Sequence, residues 1–205
     1  MIVYKFGGAS VKNADGIRNL AKIVSREKEK LVVVVSAFGK TTNALEKVLK
    51  AWISGDKGYP VLLEEIYDYH MKVTKELFPS DTSVKSKIDV LFALLGEYLS
   101  KPAGPDYDKE YDQVVSYGEL WSTVIVSGFL NDFGLNSRWV DIRGILITDD
   151  RFRDADIMWG ESSSRIRKVF SFSETGIYVT QGFIGSTIAG QTTTLGREGS
   201  DYTAA

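Results

Sequence analysis

Ile2-Val3-Tyr4-Lys5-Phe6-Gly7-Gly8 and Leu31-Val32-Val33-Val34-Val35-Ser36, the two ends of a β-α-β reading over residues 1–37, decide the fold. Leu31 to Val35 is an unbroken aliphatic run, the mark of a strand buried on both faces of a parallel sheet. Ile2 to Phe6 reads as a second short strand. Between them, Asn13 to Glu29 has helical spacing, with Ile17, Leu20, Ile23 and Val24 predicted on one face. The charged run Arg26 to Lys30 closes that helix and faces solvent. Strand, helix and strand in this order make a parallel crossover, the unit of α/β folds.

Outward from this unit the pattern changes. From Thr42 to about Asn131 it is helical. One helix starts around Leu45, Val48 and Leu49 and ends near Gly55. A second spans Val61 to Leu77 and stops at Pro79, a third spans Val84 to Leu99, and a fourth spans Tyr107 to Leu130. Two of the 4 prolines fall in Lys101-Pro102-Ala103-Gly104-Pro105, so this is the clearest loop. The block reads as a helical insertion packed on the sheet. Strand character returns at Ser137 to Val140, then at Ile145 to Thr148 and Gly176 to Gln181, with a helix at Ser162 to Phe170. Gly185 and Gly190 flank a small hairpin leading into Thr192 to Leu195.

Composition narrows the function. With 25 Lys+Arg against 27 Asp+Glu, the net charge of −2 gives no basic excess for nucleic acid or an anionic membrane. The absence of cysteine removes disulfides and thiol chemistry, and fits a reducing compartment. Leu31 to Val35 is the longest strongly apolar run, too short to span a bilayer. The N-terminus lacks the apolar stretch of a signal peptide. A cytoplasmic protein is expected.

Four glycine-rich or polar loops each follow a predicted strand: Lys5 to Ser10, Ser36 to Asn43, Gln181 to Gly185, and Gly196 to Asp201. Ligands of open parallel sheets bind beyond the carboxyl ends of the strands, so four loops from one sheet would make one site. Taken singly, each loop also fits a plain turn, and Lys5 fits a solvated edge lysine. The P-loop spacing is absent, Gly7-Gly8 lacks the third glycine of a dinucleotide fingerprint, and only Gly39 precedes Lys40-Thr41-Thr42. Together the loops offer a point cation (Lys5), a planar fork (Arg197), hydroxyls (Ser36, Thr41, Thr42, Ser200), a carboxylate (Asp201) and glycine N–H groups. The terminal Gly196-Arg197-Glu198-Gly199-Ser200-Asp201 reads as a loop entering a helix, a junction suited to an anion. Such a set is rich in cations and donors and poor in proton-transfer groups, which fits phosphoryl transfer.

The same segments resemble aspartate kinases. Lys5-Phe6-Gly7-Gly8-Ala9-Ser10-Val11 resembles that family's Lys-Phe-Gly-Gly-Thr/Ala-Ser-Val opening. Ser36-Ala37 through Thr42-Asn43 is similar to its second loop, and Val114 to Glu119 to its Ser-x-Gly-Glu helix start. Gln181 to Gly185 matches a further segment. Thr192 to Ala205 resembles its Thr-Thr-Thr-Leu-Gly-Arg-Gly-Gly-Ser-Asp-Tyr-Thr-Ala block. The blocks run in order over the whole chain.

The resemblance implies the amino-acid kinase fold, a three-layer αβα arrangement with a mainly parallel sheet. It implies ATP with Mg2+, and transfer of the γ-phosphate to the β-carboxylate of L-aspartate. This is the first step towards lysine, threonine and methionine. By residue, it implies that Lys5 neutralises the transferring phosphoryl, with Gly7, Gly8 and Gly199 beside the phosphates. Ser36 and Thr42 line the aspartate site, Glu119 takes the ammonium, and Arg197 takes the α-carboxylate. Phe183 walls the pocket, Ser200 hydrogen-bonds within it, and Asp201 orients Lys5. No residue is assigned to a metal, and a homo-oligomer is expected. Glu198 departs from the family's glycine. It either points to solvent, the favoured reading, or holds Arg197 or a metal, and it fits a positive φ poorly.

Other residues carry less. His70, the 1 histidine, lies among Tyr67, Tyr69 and Met71 and reads as structural. Arg151 and Arg153 read as surface-paired, with a nucleotide or subunit contact as the alternative. Trp52, Tyr59, Tyr67, Tyr69 and Trp121 read as core or interface. A helix of about one turn at the end of the chain is not stable alone. Residues 1–205 are therefore expected to form the N-terminal lobe of an amino-acid kinase domain. The nucleotide-holding remainder and regulatory domains are expected beyond it, with no useful turnover from this lobe alone. Two other readings stand beside the aspartate one: a kinase for glutamate or N-acetylglutamate, and a non-catalytic assembly module.

Overall fold

The computed structural model describes residues 1–80 and 82–205. Strands β1 (Ile2–Phe6), β2 (Leu31–Val35), β3 (Ser137–Val140) and β5 (Ile177–Gln181) form a parallel four-stranded sheet in the order β1-β2-β5-β3. Strand β2 lies between β1 and β5 with all its residues buried. That position is why it reads as a continuous aliphatic run. Its side chains alternate across the sheet. Val33 and Val35 join the core formed with the helices, while Val32 and Val34 join a second core with Tyr178, Ile142, Leu146 and Ile184.

The helical layer on the first face is α1 (Ala14–Val24), α2 (Thr41–Ile53), α3 (Tyr59–Leu77), α4 (Ser83–Leu99), α5 (Tyr107–Val115) and α6 (Tyr117–Asp132). Helix α6 is its keystone. Nearly every residue is buried, because it packs on β2, β3 and β5 on one side and on α4 on the other. On the far face lie α7 (Trp159–Val169) and a smaller sheet of β4 (Ile147–Thr148), β6 (Ile184–Thr187) and β7 (Thr192–Thr194). In it β4 pairs with β6 in parallel, and β6 with β7 in antiparallel fashion. A short helix, α8 (Gly199–Ala204), packs on β1 and β2. The result is a three-layer α/β fold, as expected.

Several boundaries differ from the sequence expectations. Helix α1 ends at Val24 rather than Glu29, and Ile23 is exposed instead of joining the buried face. The i→i−4 ladder stops at Ser25, the Arg26 and Glu27 N–H groups turn to the Ile23 and Val24 carbonyls, and the Glu27 carboxylate accepts the next two, from Lys28 and Glu29. The helix expected from Tyr107 to Leu130 breaks at Ser116 into α5 and α6. Tertiary contacts impose this break. The Gln113 side-chain amide donates to the Thr192 carbonyl at 2.8 Å, tying α5 to β7. At the start of α6, Gly118 lets the helix approach β2's loop so closely that a Cβ there would lie 2.8 Å from Ala37 Cβ. Helices α3 and α7 start earlier than expected, and a 3₁₀ turn at Ile142–Gly144 leaves only Ile147–Thr148 as strand.

The register sets the geometry of the site. Phe6 lies opposite Val35, and Val35 opposite Gln181, so β1, β2 and β5 end level. The expectation that all four loops leave one sheet is corrected. The fourth leaves β7 of the smaller sheet. The antiparallel β6–β7 pairing sets Thr194 opposite Ile184, and Leu195 N–H donates to the Phe183 carbonyl at 2.9 Å. The hairpin thus returns the chain to the carboxyl edge of β5.

Burial separates core from surface within one helical layer. Leu49 is 0% exposed and Val61 60% exposed. Leu49→Ala is expected to cost about 2–5 kcal/mol, against about 0.5 kcal/mol or less for Val61→Ala. Urea unfolding measures both, and equal costs would contradict this assignment of the core.

Candidate active site

Lys5 and Ser36 lie near the ends of β1 and β2. Lys5 stands beside Val34 in the parallel register, and Ser36 continues the alternation of Val32 and Val34. Helix α8 lies over this face. Lys5 Nζ pairs with Asp201 Oδ1 at 2.7 Å, and the Ser36 and Ser200 hydroxyls are 3.0 Å apart. The first turn of α8 therefore closes over both strand ends through one ion pair and one hydroxyl pair. Gly182 allows the approach, since a Cβ there would lie 2.7 Å from Ser200 Oγ.

The first two loops are joined to each other. Gly39 N–H donates to the Gly8 carbonyl at 2.9 Å, and a Cβ on Gly8 would meet the Ala37 carbonyl oxygen at 2.5 Å. Gly8 is thus needed for packing. Gly7 has open space where a Cβ would stand. Gly199 is buried against Leu195 and Phe183, and its N–H donates to the Gly196 carbonyl. Thr42, half-buried, lies in the first turn of α2, whose N-terminus no side chain caps.

Glu119 approaches from beneath, in the first turn of α6. Its Oε1 accepts the Ala37 N–H at 3.1 Å, and its Oε2 is buried with no protein partner among the described residues. Burial pushes its carboxyl up to about 8, opposed by the Ala37 N–H bond. A buried acid with one oxygen committed and the other unpartnered calls for a cationic or donor group to complete it.

Phe183 adopts φ 72, uncommon for a bulky residue, and its N–H donates to Thr203 Oγ1. Glu198 also takes a left-handed conformation, φ 62, one that a glycine adopts more readily than a glutamate. It is exposed. Arg197 is exposed as well and is not drawn to the strand ends. It borders a separate cavity of ≈ 310 Å³ with Asp154, Asp156, Trp159 and Tyr202. Lys5, Ser36, Ser200 and Asp201 therefore meet at one place, with Glu119 bonded to Ala37 of the second loop and Thr42 in the first turn of α2, while Arg197 borders the separate cavity.

The remaining sequence candidates have structural partners. Arg151 pairs with Asp149 and Asp156, and Arg153 with Asp108. His70 is fully buried between Phe38 and Trp121, hydrogen-bonded through Nδ1 to the Ile66 carbonyl, and burial pushes it down to about 4. Sequence reasoning missed Asp112. Its fully buried carboxylate receives the N–H groups of Arg153 and Thr194 and the Thr194 hydroxyl. The available signal was an acid beside Val114 and Val115 on the inward side of α5.

No helix among the described residues is long and apolar enough to cross a membrane. The model of the amino acid kinase family matches residues 1–205. The chain is 34% identical to the chloroplastic bifunctional aspartokinase/homoserine dehydrogenase 2 of Arabidopsis thaliana, over 99% of this chain and 23% of that protein. It is 33% identical to the lysine-sensitive aspartokinase 3 of Escherichia coli, over 100% of this chain and 45% of that one. The crystal structure of E. coli aspartokinase III with aspartate and ADP superposes with a TM-score of 0.87 at 31% identity, again over 45% of its length. The chain thus spans less than half the length of these relatives. The matched segment nonetheless covers the parallel sheet, the helical layer and every strand-end loop, and the chain belongs to the amino acid kinase family.

Proposed function

We propose that this site takes L-aspartate and presents its β-carboxylate to the γ-phosphate of ATP. One carboxylate oxygen bonds to the γ-phosphorus while the bond from that phosphorus to the β,γ-bridging oxygen breaks, giving aspartyl phosphate and ADP. The observation that carries the reading is the unpartnered Oε2 of buried Glu119, next to the joined strand-end loops. The likeness to the E. coli enzyme bound to aspartate and ADP supports it.

The residues divide the work by charge. Glu119 receives the ammonium group. Arg197 turns from its side cavity to clamp the α-carboxylate through its planar fork. Thr42 and Ser36 flank the substrate, and Phe183 walls it. Lys5, a point charge on a flexible stem, follows the phosphoryl group, and Asp201 holds Lys5 in place. Positioning and charge neutralisation supply the rate enhancement. The open space at Gly7 fits a phosphate; Gly8 and Gly199 serve by close packing. Among the described residues no three His, Asp or Glu side chains form a cage. The resemblance pairs ATP with Mg2+, which would arrive on the nucleotide's phosphates and neutralise their charge.

Glu119 also discriminates. N-Acetylglutamate lacks the ammonium charge, and glutamate carries its distal carboxylate one methylene further from the Glu119 anchor. Calorimetric titration of the chain is expected to give heat with L-aspartate and none with L-glutamate or N-acetylglutamate. Glu119→Gln is expected to weaken aspartate at least about tenfold, as loss of one member of a buried charge pair should. Concentration-dependent association without aspartate heat would favour an assembly module instead.

A pH dependence follows. In the free protein Glu119 holds its proton up to about pH 8, and binding an ammonium group requires the ionised form. Bound protein therefore holds fewer protons than free protein below that pH, so affinity rises with pH. The expected outcome is tighter L-aspartate binding at pH 8 than at pH 6, with that increment lost in Glu119→Gln. Equal pH dependence in the two proteins would contradict the role of Glu119.

A further inference from the structure

Asp112 lies on α5, outside the strand-end loops, yet it controls where the loop of Arg197, Ser200 and Asp201 begins. Its Oδ2 accepts the N–H groups of Arg153 and Thr194, both at 2.9 Å, and its Oδ1 accepts the Thr194 hydroxyl at 2.7 Å. At the same edge of β7, the Ala155 N–H donates to the Thr194 carbonyl at 3.0 Å. Thr194 is therefore fixed through its N–H, its carbonyl and its hydroxyl.

The second residue held by Asp112 lies beneath the same loop. Arg153 adopts φ 68, a strained conformation for a side chain of its size. Four contacts to α5 maintain it: the Asp112 bond, an ion pair with Asp108 at 2.9 Å, and its guanidinium over the Tyr111 ring at 4.5 Å and the Tyr107 ring at 5.8 Å. Gly196, with φ 70, turns directly against this segment. A Cβ on it would lie 2.5 Å from Asp154 Oδ1 and 3.1 Å from the Arg153 carbonyl oxygen. Both the point where the loop departs and the surface on which it turns are thus referred to one buried carboxylate. The carboxyl of Asp112 is pushed up to about 6 by burial, against the pull of its donors. The network accommodates either protonation state, because a protonated Oδ1 can donate to the Thr194 hydroxyl.

We infer that Asp112 is a positioning residue for substrate binding: through Thr194 and Arg153 it sets the path of residues 196–201, and so delivers Ser200 and Asp201 to the strand ends and fixes the loop that carries Arg197. The affinity readout rests on the aspartate reading above; the placement of the loop does not.

Three variants test it by calorimetry with L-aspartate. Asp112→Ala leaves the Arg153 and Thr194 N–H groups without their acceptor, and is expected to raise Kd about tenfold or more, the scale of a displaced contact. Asp112→Asn keeps an oxygen for both N–H groups and an amide for the Thr194 hydroxyl, and is expected to stay within about threefold of the parent. Gln113→Ala removes an α5–β7 bond at Thr192, farther from the loop. It is expected to lower Tm while leaving Kd within about threefold. The inference is overturned if Asp112→Ala binds like the parent, if Asp112→Asn is as weak as Asp112→Ala, or if Gln113→Ala weakens binding as much.

Should Asp112→Ala not fold, Thr194→Val removes only the hydroxyl contact. It is expected to weaken aspartate about threefold or more, and an unchanged Kd overturns the inference. A parent that binds no aspartate refutes the aspartate reading alone. Hydrogen exchange at the Leu195, Gly199 and Asp201 amides then decides. Lost protection in Asp112→Ala or Thr194→Val but not in Gln113→Ala supports the positioning role, and unchanged protection overturns it.

Discussion

The parallel pairing of β2 between β1 and β5 is the constraint on which the rest depends. It buries Leu31–Val35 on both faces and ends the three strands level at Phe6, Val35 and Gln181. Hydrogen bonding continues one residue further, with Ser36 N–H donating to the Phe6 carbonyl and Gly182 N–H to the Val35 carbonyl. The loops therefore start from a shared platform, and polar side chains carried on them approach one another without a long excursion of chain. A slip of one residue in β2 would put Ser36 on the opposite face from Lys5.

Burial at this platform does chemical work. The backbone of Ala37 donates to Glu119 in the first turn of α6, and burial raises its carboxyl while one oxygen stays without a partner among the described residues. Lys5 and Asp201, by contrast, are partly exposed and already paired. One group is held unsatisfied and the other pair pre-arranged, and the proposed function assigns them different tasks accordingly.

The β-α-β unit was legible because doubly buried strands and amphipathic helices leave strong one-dimensional patterns. Lys5, Ser36, Ser200 and Asp201 were legible because they sit at strand ends or a helix start, beside glycines that mark tight turns. What escaped was tertiary in origin. The break at Ser116 interrupts no hydrophobic period; it follows from Gln113 reaching β7 and Gly118 meeting Ala37. Strand β4, Ile147–Thr148, is too short to show alternation. Asp112 acts on residues 41 and 82 positions away, a pairing no local motif records. Past the early end of α1 the backbone donors turn to carbonyls three residues back and then to the Glu27 side chain, local bonding that no hydrophobic period records. Arg197 lies on the loop expected for it, and no sequence pattern records that it borders the cavity beside Asp154 and Trp159.

The most direct test is a crystal structure of the chain grown with L-aspartate near pH 8. The account predicts the substrate ammonium within hydrogen-bonding distance of Glu119 Oε2, the α-carboxylate on a reoriented Arg197, and the β-carboxylate directed towards Lys5. Aspartate held in the Arg197 side cavity, with no contact to Glu119, would contradict it.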